Sequence, residues 1–245
     1  MPQAVSLPEE LRFRRDHHGF LDDFSHVPDT TNDYDLIAPD TGSVTAIDAL
    51  EGGITVSPSD ATVADNDEVY LARKQESFKL ADGRPIHYEC LCNITDAGSD
   101  TLNAISGLAD AVAANLLQDN GGGPKASGEV ICFYAKDGNT NWHVYIRLNG
   151  NLVIDKELDG VNNDDFDAVA HDANQSSNQR LEIQIVPKAA SKADITFLID
   201  GVTVYKQLDV DYSTTSDMQA VFGAKNGDAN HQEQKLFFHA AYQRR

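Results

Sequence analysis

A two-residue alternation of apolar and polar side chains, recurring from about Asp33 to the C-terminus, restricts this chain more than any other feature. In Pro85–Ile94 the residues Ile86, Tyr88, Cys90, Cys92 and Ile94 share one face, and His87, Glu89, Leu91 and Asn93 the other. Trp142, Val144, Ile146 and Leu148 oppose His143, Tyr145 and Arg147 in the same way. Leu181, Ile183 and Ile185 alternate with Glu182 and Gln184, and Leu236, Phe238, Ala240 and Tyr242 close the chain in the same style. Successive strand side chains point to opposite faces, so this pattern predicts strands with one face in a core and one face wet.

The punctuation between these runs agrees. Asp-Gly or Asn-Gly pairs stand at Asp82-Gly83, Asp137-Gly138, Asn149-Gly150, Asp159-Gly160, Asp200-Gly201 and Asn226-Gly227. Such pairs tolerate the positive φ angles of tight hairpin turns. Ile195–Asp200, Gly201 and Val202–Tyr205 read as one complete hairpin. Many strands separated by turn signals predict an all-β jelly-roll β-sandwich. Thr101–Gln118 resists this reading, because Leu102, Ile105, Leu108, Val112 and Leu116 have helical spacing. Gly107 is costly in a helix interior, so we expect a strand over Asn103–Ala109 and one short helix over Asp110–Gln118. A loop follows at Asn120–Pro124, and Asp155–Asp172 reads as a long acidic surface loop.

Residues 1–33 are polar and irregular, with a short helix expected from Pro8 to about Asp16 whose acids lead and arginines trail, as the helix dipole favours. This gives two units: an extended N-terminal arm, 1–33, and a sandwich domain, 34–245. No linker divides the β region.

Charge narrows the partners. Asp plus Glu number 39 against 19 Lys plus Arg, a net charge of −20, which would repel a nucleic-acid backbone or an anionic membrane surface. No stretch has the length of a membrane span and the N-terminus lacks a signal-peptide core, so we expect a protein made in a cytoplasm. Cys90, Cys92 and Cys132 are odd in number and irregular in spacing, and read as buried free thiols.

The search for chemistry leads away from catalysis. There is no G-x-S-x-G, and Ser106-Gly107 lacks the strand-to-helix setting of a nucleophile elbow. The histidines lack zinc-ligand spacing. The loop from Asp159 to Asp167 holds the hard oxygen donors calcium favours but not the EF-hand spacing, and reads as a solvated acidic loop. Glu157-Leu158-Asp159 resembles the start of the E-x-D-x-x-E signature of laminarinase-like hydrolases, but Asn162 stands where the closing acid would fall and the segment reads as a turn. Trp142 reads as core; Tyr145, on the opposite face, could serve a sugar. We therefore expect no enzyme, no metal and no cofactor.

Asp22-Asp23-Phe24-Ser25 and Ala193–Tyr205, with its F-x-x-D-G hairpin, resemble concanavalin-like or laminin-G-like jelly rolls. Asp110–Asn115, Gly121–Pro124, Tyr134–Gly138 ahead of Trp142, and Met218–Gly227 resemble jelly-roll proteins encoded beside capsid genes in tailed bacteriophages. That second resemblance implies a virion structural protein on the capsid surface, made in the host cytoplasm. It would decorate and stabilise the shell by bridging major capsid subunits, without catalysis and as a homotrimer. Arg12, Phe13, Arg14, Arg15 and Phe20 form the one basic, aromatic cluster on an acidic chain and are the expected partner-binding residues. The alternative is a carbohydrate-binding, lectin-like module used in host attachment, with a glycan as partner; a degenerate glycoside hydrolase ranks below it.

Overall fold

A computed structural model describes residues 17–47, 52–58, 63–74, 77–95, 102–160, 169–173, 177–212, 217–228 and 233–245. Among these the chain is all β, with no helix. The strands are β1 (His17–Asp22), β2 (Tyr34–Ile37), β3 (Ser43–Ala46), β4 (Ile54–Ser57), β5 (Glu68–Arg73), β6 (Ile86–Thr95), β7 (Leu102–Ala109) and β8 (Val130–Ala135). They continue with β9 (His143–Leu148), β10 (Asn151–Glu157), β11 (Gln179–Lys188), β12 (Lys192–Ile199), β13 (Val202–Asp211), β14 (Gln219–Asn226) and β15 (Glu233–Arg244).

Two antiparallel sheets face one another. An eight-stranded sheet runs β13-β12-β11-β6-β15-β4-β3, with β1 also paired to β15, and a seven-stranded sheet runs β10-β9-β8-β7-β14-β5-β2. Their neighbours in space come from far apart in sequence, as in a jelly roll. The alternation places the core as expected: Ile86, Tyr88, Cys90, Cys92 and Ile94 of β6 meet Leu181, Ile183 and Ile185 of β11, and all are buried. Trp142, Val144, Ile146 and Leu148 face them from the other sheet, and Trp142 Nε1 donates to Gln179 Oε1 at 3.0 Å. The three cysteines are buried free thiols.

The turn chemistry is equally direct. Asn149 and Gly150 have φ of 54° and 72°, and Asp200 and Gly201 have φ of 51° and 79°. Positive φ at both central residues is what a type I′ hairpin needs, and these pairs join β9 to β10 and β12 to β13.

Four expectations are revised. Asp110–Gln118 is not helical: Asn115 adopts φ of 59° and Leu117 pairs with Pro124, so the segment folds back on itself. The eight-stranded sheet takes in β1, within the stretch expected to be an arm, and Phe20 of that strand is buried. The helix expected over 8–16 lies outside the described residues. Asp155–Glu157 belongs to β10 rather than to a loop. Finally, a bulge between Leu236 and Phe238 inverts the parity of β15. Leu236 faces the core, but beyond the bulge His239 and Ala241 take that side while Phe238 and Tyr242 are only partly buried.

Candidate functional site

The outer face of the seven-stranded sheet carries the polar chemistry. Tyr70, Ile105, Cys132, Tyr134, Tyr145 and Val221 alternate with the core residues and point away from the sandwich interior, yet all are buried. Their cover is the chain between β7 and β8. This strap lays Leu116 and Leu117 onto that apolar patch, which explains why Tyr145, expected to be wet, is not; His143, also expected to be wet, is buried with its ring packed on Tyr134.

Polar side chains fasten the strap. Both carboxylate oxygens of Glu68 accept from the Asn115 backbone N–H, at 2.8 and 3.0 Å. Tyr70 donates its hydroxyl to Glu68 Oε2 at 2.9 Å and accepts from the Leu117 N–H at 3.1 Å. Burial, then the neighbouring Glu68 charge, pushes the Tyr70 phenol well above its ordinary pKa, so it stays a donor. Lys225 of β14, 1 % exposed, sends its ammonium to Asn115 Oδ1 at 2.8 Å, Asp119 Oδ1 at 2.5 Å and Glu68 Oε2 at 3.4 Å. A buried lysine needs such partners, because an ammonium without them is costly to desolvate.

Beside this clamp opens a cavity of about 310 Å³, with Asp40, Asp65, Asp67, Asn115 and Asp119 in its lining together with Glu68 and Lys225 of the clamp. Asn66, also in the lining, holds φ of 69°, and Asp67 Oδ2 accepts from the Ala64 N–H at 2.8 Å, so the 64–67 turn is fixed by its own side chain. The lining offers carboxylate and amide acceptors, of which Asp67, Asn115 and Asp119 are held by their own contacts. Among the described residues, no group of three or more His, Cys, Asp or Glu side chains is arranged to hold a metal ion.

A second polar cluster stands on the same face at the β8–β10 side. Tyr134 donates to Asp155 Oδ1 at 2.6 Å, and His143 Nδ1 lies 3.7 Å from the same oxygen. The His143 ring packs on Tyr134 at 4.7 Å between centroids, and neither ring nitrogen has a hydrogen-bond partner. Burial works against ionising Asp155, but the contacts from His143 and Tyr134 outweigh it and hold the carboxyl below its ordinary pKa. Next along β10, Glu157 accepts from the Asn141 amide at 2.8 Å, and that bond holds its pKa down as well.

Of the residues expected to bind a partner, Arg12, Phe13, Arg14 and Arg15 lie outside the described residues. Phe20 faces inward, its ring 5.0 Å from His239, with the Arg73 guanidinium 4.9 Å above it. Tyr145 is likewise buried, under the strap. Glu157 does line a strand, so one of the two grounds for setting hydrolysis aside falls; the other, Asn162, lies outside the described residues. Sequence reasoning missed Lys225 and Glu68. Each alternates with core positions and so reads as solvated until a distant segment is folded over it.

Neither a protein-family model nor a curated protein matches the chain. Solved structures do. The carbohydrate recognition domain of Emp47p is similar at 14 % identity and a TM-score of 0.58, over 93 % of this chain and 97 % of that one. Peanut lectin matches with 13 % identity and a TM-score of 0.54, over 93 % and 97 %. An endo-β-1,4-glucuronan lyase from the fungus Trichoderma reesei matches with 10 % identity and a TM-score of 0.57, over 87 % and 94 %. The chain thus has the jelly-roll fold of concanavalin-like and legume-lectin-like domains.

Proposed function

We propose that this chain is a carbohydrate-binding module of lectin type, which takes a neutral glycan into the cavity beside the strap and binds it without turning it over. The observation that carries the reading is the set of acceptors gathered in that cavity. Asp65, Asp67, Asn115 and Asp119 line about 310 Å³ around a lysine already committed to protein partners. Sugar hydroxyls are donors and acceptors in fixed geometry, and acceptors held by a folded backbone bind them with little ordering cost. The acidic lining disfavours sialylated or uronic glycans by like-charge repulsion. The likeness to carbohydrate recognition domains over nearly the whole chain supports the glycan alternative of the sequence analysis over capsid decoration.

The test is a glycan array probed with the full chain and with the Asp40→Asn/Asp65→Asn double variant. We expect signal on neutral glycans, lost in the variant while its thermal midpoint is kept. Absence of glycan signal from the wild type would overturn the proposal, as would release of sugar products on prolonged incubation.

A further inference from the structure

We infer that the Tyr134–His143–Asp155–Glu157 cluster is a second hydroxyl-binding subsite, and that the ligand is an extended oligosaccharide rather than a single terminal sugar. The inference rests on the glycan reading of the cavity and adds its length and direction.

The register of the sheet places both subsites on one face. Gly223 pairs with Tyr70 and with Ile105, Ile105 with Tyr134, Tyr134 with His143 and His143 with Glu157. One continuous row therefore leads from β5, next to Glu68, to the edge strand β10. In the sheet order β10 is five strand spacings from β5. At about 4.8 Å each, the two polar groups stand about 24 Å apart.

The cluster has the marks of a binding site rather than of a solvated edge. His143 is 3 % exposed, its Nδ1 faces Asp155 Oδ1 at 3.7 Å, beyond hydrogen-bond reach, and its Nε2 has no hydrogen-bond partner. An unpaired polar ring at that depth is costly in a finished fold. Asp155 has a side chain 42 % exposed, and the contacts from Tyr134 and His143 both fall on Oδ1. Its other oxygen is left to accept from a ligand. Asp155 and Glu157 are two residues apart on β10, so both carboxylates project to the same side. Between the subsites the strap presents Gly121-Gly-Gly123, and Gly123 sits so close that a Cβ there would stand 3.2 Å from the Tyr134 ring. The Gly122 and Gly123 carbonyls are held within the strap by Gln118, and the exposed Gly122 leaves a side-chain-free path over which a sugar chain can pass.

The experiment uses neutral β-glucan and mannan oligomers, graded in length from the monosaccharide and printed on one array. The probes are the wild type, Asp155→Asn and Glu157→Gln, each checked for an unchanged thermal midpoint. Wild-type signal is expected to rise with length and level off once the chain spans both subsites. Asp155→Asn should lose about tenfold on the longest oligomers, as for one hydrogen bond to a charged group, and nothing on the monosaccharide. If Asp155→Asn fails to fold, Glu157→Gln carries the same comparison. Length-independent binding, or a length dependence that survives both variants, would overturn the second subsite while leaving the cavity reading intact. No signal on any oligomer would overturn both.

Discussion

Acidifying this protein from pH 7 to pH 4.5 should cost about 2 to 3 kcal/mol of stability through His239 alone. The bulge in β15 turns this side chain into the core, where its ring meets Phe20 at 5.0 Å, Tyr88 at 5.5 Å and Tyr34 at 6.2 Å. Neither ring nitrogen has a partner. Burial, and secondarily the Arg73 guanidinium, holds its pKa down from 6.5 to about 3. The folded protein therefore keeps the imidazole neutral where the unfolded chain protonates it, and unfolding takes up a proton across that whole window. The stability is fully present above pH 6.5 and is lost as pH falls toward 3. Linkage over the interval from 7 to 4.5 gives the stated loss. Urea unfolding of the wild type and of His239→Phe at the two pH values isolates it, because the other titrating groups are common to both. The wild type should lose about 2 to 3 kcal/mol more than the variant on acidification. Equal losses would refute the argument and place the acid sensitivity among the carboxylates.

Further outcomes follow from the strap and the core. Lys225→Met leaves Glu68 and Asp119 without their cation and should destabilise by about 3 kcal/mol, with Lys225→Met/Glu68→Gln recovering part of it in the same urea assay. Gly107→Ala places a Cβ 2.6 Å from the Cys132 Cα, a backbone atom that cannot yield, and should cost about 1 to 3 kcal/mol by thermal unfolding. Cys90, Cys92 and Cys132, all buried, should react with a thiol reagent only at the rate of unfolding; a fast reaction in native buffer would contradict their placement.

Much of the fold is legible in the residues themselves. The alternation in Ile86–Ile94 and Leu181–Ile185 and the Asn149-Gly150 and Asp200-Gly201 turns are local signals, because a strand's period and a turn's φ angles involve only neighbouring residues. Those signals determine an all-β sandwich, the inward face of most strands and the burial of Trp142 and the cysteines. They cannot say what covers the other face. Tyr145, Lys225 and Glu68 alternate as wet residues should, and the 110–128 segment folded across the sheet brings them their apolar cover and polar partners. His239 was hidden for a related reason. A one-residue bulge leaves no mark in the sequence but moves every later side chain of β15 to the opposite face. Both polar groups of the proposed site belong to this second class, assembled from strands and a strap distant in sequence and brought together only by the sheet pairing.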